Sequence, residues 1–203
     1  MTHSVRGTLA AAAIGVLGLA GCGIPTDDGP RAISRENVPD EVAAATTETT
    51  APQPTVDTTI FLVQSPDEDP RLVDVERPVP VEGASSGAEP AAVLEVLLGA
   101  VADEQEQEEG ITNLIPETTR LASQPELQAG TLLIDLTRGI YDVEGVPQRA
   151  AFGQIVCTAD ELEGVDAVRF AVEGEPIDAS TDTGNSEQVT CDRDYRRLLA
   201  EPD

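Results

Sequence analysis

Three cysteines, one histidine and 38 aspartates and glutamates are the side chains of this 203-residue chain able to do covalent, metal-binding or acid–base chemistry. All 12 basic residues are arginines, and lysine is absent. The single histidine is His3, at the extreme N-terminus. If that end is removed, no imidazole and no side-chain amine remain. Ser-His-Asp and Cys-His nucleophilic sites, His-ligated zinc, Schiff bases and a phosphate-loop lysine are then excluded together. Two carboxylates alone can run glycoside hydrolysis, but sugar subsites present aromatic faces. This chain has no Trp, its three Phe sit in apolar stripes, and only Tyr141 and Tyr195 are left. A net charge of −26 excludes nucleic acid, which needs clustered Lys and Arg. No cofactor and no small-molecule substrate are expected from this inventory.

The removable end is legible. Arg6 supplies a positive start, and Thr8 to Ala20 form an uncharged apolar run of 13 residues. A spanning helix needs ~20 residues, whereas the hydrophobic region of an export signal is shorter. The run ends in Leu19-Ala20-Gly21-Cys22, which resembles the lipobox of bacterial lipoproteins. The resemblance implies residues 1–21 as a lipoprotein signal peptide, a diacylglyceryl thioether on Cys22, cleavage before it, and N-acylation. The competing readings are a plain secretory signal or a buried N-terminal helix. Acyl chains contribute about 0.8 kcal/mol of anchoring per buried CH₂, so the expected location is the outer face of the cytoplasmic membrane, anchored without spanning. Cleavage would remove His3 and Arg6 but no acid, leaving the mature chain one unit more acidic.

With Cys22 lipidated, Cys157 and Cys191 form an even pair in an oxidising compartment. A disulfide between them is expected. The alternative is two independent thiols, one of them in the core.

The elements that must position these groups follow from composition and period. Residues 22–57 are rich in Pro, Thr, Ala and acids without hydrophobic periodicity, which predicts a disordered, lipid-anchored linker. A flexible chain of that length spans on the order of 33 Å. A folded domain is expected over 58–203. Thr59 to Val63 read as a buried strand, and Val73 to Val81 alternate as a second strand that Pro78 and Pro80 confine to an edge. Glu89-Pro90 opens a helix whose apolar stripe is Val93, Leu94, Leu97, Leu98 and Val101. The acidic run Asp103–Glu109 reads as a solvated helix end, and it lacks a calcium-loop spacing. A weak strand near Thr119–Leu127, a turn at Gln128-Ala129-Gly130 and a clear strand at Thr131–Leu136 follow. Pro147 starts a second helix with Ala151, Phe152, Ile155, Val156, Ala159 and Leu162 on one stripe and Cys157 almost opposite. Val165 to Val172 give a last strand. Cys191 would then tie a polar tail, with its Tyr195/Leu198/Leu199 cluster, back over the second helix. The order ββ-α-ββ-α-β predicts one small α+β domain: a mixed sheet of about five strands with two helices on one face.

Several ordered segments carry a family resemblance. Leu97-Leu98-Gly99 followed by Gly110-Ile111-Thr112-Asn113-Leu114-Ile115-Pro116-Glu117-Thr118 resembles one stretch of the GerMN domain. Gly130 to Thr137 resemble its central strand; Gln154 to Thr158, Gly164 to Phe170 and Gly174 resemble its second helix and last strand. The core motif region covers about residues 90–180. Ala100 stands where the family usually has Pro, and Cys157 and Cys191 look like an added pair. The resemblance implies an α+β domain of sporulation and spore-germination proteins of the GerM type and of LpqB-like lipoproteins, outside the cytoplasmic membrane. It also implies a fold similar to ring-building motifs, with no catalytic residue set to carry over. Asp135, Thr137, Gln154 and Thr158 are its polar motif positions; local structural bonding and a binding groove between strand and second helix are both open for them. Contact with an envelope protein is the expected function, and binding of wall glycan is the alternative.

Overall fold

The protein was described from a computed structural model, over residues 53–64, 69–81 and 89–199. The signal segment, Cys22 and the expected linker up to residue 52 lie outside the described residues. Strand β1 (Thr55–Gln64) starts three residues inside the segment expected to be linker. Thr55-Val56-Asp57 has the polar–apolar alternation of a strand, and it pairs with Pro80, Val79 and Pro78 of β2 (Arg71–Pro80). The antiparallel register runs on to Gln64↔Arg71. β2 tolerates its two prolines because it is the outer strand of a three-stranded sheet of order β2-β1-β3. On the far side of β1, the short β3 (Ile111–Thr112) adds only the pairs Val63↔Thr112 and Gln64↔Ile111.

Helix α1 (Pro90–Leu98) buries Val93, Leu94, Leu97 and Leu98. It stops one residue before Gly99, so Val101, expected on its apolar stripe, lies past its end and is 78% exposed. The stop has a partner: Asn113 Nδ2 donates to the carbonyls of Leu97 (2.9 Å) and Ala100 (3.1 Å), satisfying groups that an ending helix leaves open. The acidic run then forms α2 (Glu104–Glu108) through a capping box. Glu106 N donates to Asp103 Oδ1 (2.8 Å), and Asp103 N to Glu106 Oε2 (2.9 Å). Arg77 Nη2 donates to the same carboxylate at 2.6 Å, and this bond holds Glu106 below the usual carboxylate range.

The remaining strands form a second sheet of order β4-β5-β6-β7: Glu126–Gln128, Thr131–Leu136, Ala167–Val172 and Glu175–Ile177. The weak strand expected near Thr119–Leu127 shrinks to β4 and a single bridge, Leu121↔Leu136. Ala129 and Gly130 both take left-handed φ (49° and 79°), closing the β4–β5 hairpin. β5 and β6 are parallel, and a crossover through helix α3 (Val146–Asp160) joins them. β6, expected as the last strand, begins at Ala167, leaving Val165 buried just before it, and three further short strands follow. The tail folds into a two-stranded pair, β8 (Ala179–Thr181) and β9 (Gly184–Ser186), then the short helices α4 (Cys191–Asp194) and α5 (Arg196–Leu199).

The α+β class and the order of the main elements are as expected, but the strands divide among three sheets. Helix α3 is the reason. Every residue from Ala150 to Ala159 is buried, which requires walls on all sides. They come from β1 and β2 of the first sheet, β6 of the second, α1, β8 and α4. Phe152 meets Phe170 edge-on, with ring centroids 5.0 Å apart. Cys157 does lie off the main stripe, yet it is 1% exposed because the tail covers that face. Its sulfur is bonded to Cys191, with Cα atoms 4.8 Å apart. The tail approaches closely at Gly153, where a Cβ would come within 2.9 Å of Leu198 Cδ1 and 3.1 Å of Tyr195 Cδ1.

Candidate interaction surface

The polar positions on α3 serve the first sheet. β3 pairs with only the last two residues of β1, so two residues earlier the backbone of Phe61, paired with β2 on one side, has no strand on the other. Gln154 and Thr158, one helical turn apart, take that place. Phe61 N donates to Thr158 Oγ1 (2.9 Å), and Gln154 Nε2 donates to Phe61 O (3.1 Å). Gln154 also donates to Asn113 Oδ1 (3.0 Å) and accepts from Leu114 N (2.9 Å). Both side chains are fully buried.

Asp135 and Thr137 belong to a different set. Asp135 accepts from Gly174 N (3.0 Å) and Ser123 Oγ (3.3 Å), fixing the turn after β6 and the approach to β4. Thr137 Oγ1 accepts from Arg120 N (3.0 Å) and donates to Thr118 O (3.2 Å). The four motif residues therefore bind backbone at two places instead of converging on one groove.

The tail is equally occupied with itself. Asp194 accepts from Thr190 N and from Arg193 Nη2, each at 2.7 Å, and Asp182 accepts from Arg197 N at 2.7 Å. Tyr195 is buried, and burial pushes its hydroxyl well above the ordinary tyrosine range. Of the two rings that could have faced a sugar, only Tyr141, 45% exposed, reaches the surface.

A groove lies beyond the C-terminus of α1. Its volume is about 330 Å³, and Leu98, Ala100, Val101, Ala102 and Ile115 line its apolar part. Val101 is by a wide margin the most exposed large apolar residue among those described. Glu117 and Arg120 complete the lining. Arg120 Nη1 is turned onto the carbonyls of Glu117 and Thr119. Reading Val101 as a core position hid this groove. The available signal was Gly99 directly after two leucines, which stops the helix and leaves the next apolar residue outside it. Among the described residues no group of acids, cysteines or histidines is placed to hold a metal ion. No helix among them is long and apolar enough to cross a membrane.

Residues 59–178 match the family model Germane, described as sporulation and spore germination. Among solved structures the chain is similar to the tandem GerMN domains of the sporulation protein GerM from Bacillus subtilis. There the identity is 16%, with 78% of this chain and 51% of that chain covered and a TM-score of 0.55. The first GerMN domain of the same protein gives 16% identity, coverage of 66% and 93%, and a TM-score of 0.47. A provisionally named lipoprotein from Clostridium perfringens gives 14%, coverage of 69% and 90%, and a TM-score of 0.44. The chain thus spans about half the length of the tandem-domain structure. No curated protein matches it.

Proposed function

Because the chain belongs to the Germane family of sporulation and spore-germination domains, we propose that it is a lipid-anchored module of the cell envelope that acts by binding another protein, without catalysis. The observation that carries this reading is the pairing of an accessible apolar groove with polar motif residues that are all engaged with the chain's own backbone. A chain without lysine, and without histidine once the signal is removed, has few ways to react but many to dock. The export signal and the lipobox at Cys22 support a location on the outer face of the cytoplasmic membrane. The domain's acidity suits a tethered life there, since anionic lipids repel it.

Two experiments in intact cells test the two halves of the proposal. Cys22→Ala is expected to release the protein from membranes or to leave an unprocessed precursor. Membrane retention of a processed Cys22→Ala form would overturn the anchor. A photocrosslinking residue at position 101, and separately at 127, 133 and 141, is expected to join the anchored protein to a reproducible partner. Adducts with nothing at any of the four positions would overturn action by contact.

A further inference from the structure

Val101 lies on a short loop between α1 and α2, and both flanks of that loop are pinned by side chains from elsewhere. Before it, Asn113 Nδ2 donates to Leu97 O (2.9 Å) and Ala100 O (3.1 Å). After it, Gln107 Nε2 donates to Ala102 O at 2.6 Å, and the capping box of α2 fixes Asp103. Asn113 also joins the two walls of the groove, because Thr112, Asn113 and Ile115 line the side facing the loop. The direction of its amide is set. Oδ1 accepts from Ile115 N and from Gln154 Nε2, each at 3.0 Å, so Nδ2 is the group left to face α1. Gln154 is fully buried and is itself held by Phe61 O and Leu114 N. A run of side-chain bonds therefore leads from the core helix to the loop, and it ends beside an apolar residue that is 78% exposed.

We propose that Asn113 is the positioning residue of the contact surface: it holds the loop 99–102 in one shape, so that Val101 is presented before a partner arrives. Gln154 orients Asn113 in turn, which gives a buried residue of α3 an effect at the surface. The proposal deepens the contact reading above and rests on it for its purpose. Ordering a loop at the moment of contact subtracts from affinity, and a loop braced beforehand avoids that loss. Nothing is asked of the partner's charge, since Glu117 and Arg120 both line the groove.

Asn113→Asp is the selective variant. It keeps an oxygen for Ile115 N and Gln154 Nε2, and it turns a second oxygen, in place of the amide nitrogen, toward the carbonyls of Leu97 and Ala100. Thr158→Val is the control, because it removes a bond of α3 without touching the loop. Full-length, isotope-labelled protein is held by its own anchor in nonionic-detergent micelles, and amide relaxation gives the backbone order parameters. In the parent, Ala100, Val101 and Ala102 are expected near about 0.85, the value of rigid backbone. In Asn113→Asp they are expected to fall below about 0.6, with β5 unchanged. Thr158→Val should leave both regions rigid. In cells, adducts from a photocrosslinking residue at position 101, counted per molecule of processed protein, should fall several-fold in Asn113→Asp and not in Thr158→Val. A parent already mobile at 100–102, a variant still rigid there, or a loss of order equal across β5 would each overturn the proposal. An unchanged adduct yield from a loop that has become mobile would overturn it too. If the parent itself forms no adducts, the contact reading fails, and relaxation alone decides whether Asn113 braces the loop.

Discussion

The bonds from α3 to Phe61 make a quantitative claim about what Gln154 and Thr158 are for. Thr158→Val keeps the branched shape and removes one acceptor, leaving the N–H of the half-buried Phe61 without that partner. A donor orphaned away from water costs about 1–3 kcal/mol, and the half-buried setting of Phe61 places this one toward the lower end. Gln154→Met keeps length and volume but strips the bonds to Phe61 O and Leu114 N, leaving two backbone groups open. The third partner, Asn113 Oδ1, still accepts from Ile115 N at 3.0 Å. The expected loss for Gln154→Met is therefore about 2–5 kcal/mol, a large share of a domain stability of about 5–15 kcal/mol. Urea unfolding followed by far-ultraviolet circular dichroism reads both. With a slope of about 1–3 kcal/mol per molar urea, Thr158→Val should lower the midpoint by roughly 1 M and Gln154→Met by more. Amide exchange at Phe61 should accelerate in both variants. If Gln154 and Thr158 instead lined a ligand groove, removing their polar atoms would leave stability intact. Two variants within about 0.5 kcal/mol of the parent would refute the edge-capping account.

Two further perturbations address the tail and its charge. The Cys157–Cys191 bond closes a loop with a sequence separation of 34, worth about 3–4 kcal/mol by chain entropy. The double Cys→Ala variant should show that loss in urea, and an unchanged midpoint would refute it. Asp160 sits beside the end of α3, where desolvation, then Asp192 and Asp166, raise its pKa above the ordinary aspartate value. A raised acid favours the folded state while protonated and loses that advantage as pH rises through its folded pKa. Asp160→Asn should therefore stabilise the protein at neutral pH, with the gain fading as the medium is acidified through that range. A destabilised variant at neutral pH would contradict the sign.

The parts of the fold that rest on local pattern were legible. Alternation and β-branching marked β1, β2 and β5, and Pro90 and Pro147 marked the starts of α1 and α3. What could not be read depended on contacts between distant segments. Val101 fits a helical stripe by spacing; Gly99 was the one local sign of a stop, and the cap from Asn113 that holds the stop at Leu98 comes from a distant segment. Cys157 is the exception: it looks outward by helical arithmetic, and the tail expected to tie back over that face is what buries it. The division into several sheets follows from α3 being enclosed, a property of its neighbours rather than of its own residues. Gln154 and Thr158 stood out as polar positions on an apolar helix, but their partner is a strand more than ninety residues away in the chain.

Enclosure of α3 from several directions also sets an order of events during synthesis. A growing chain completes α3 well before Cys191, Tyr195 and Leu198 exist to cover it. Until then the Gly153 face of the helix and the Cys157 thiol have no lid, and the domain cannot reach its final packing. Chains cut short before the tail would keep every strand of both larger sheets yet leave their central helix open to proteases. Burial of the core is thus finished only by the segment from Cys191 to Leu199, whatever the order in which the earlier elements form.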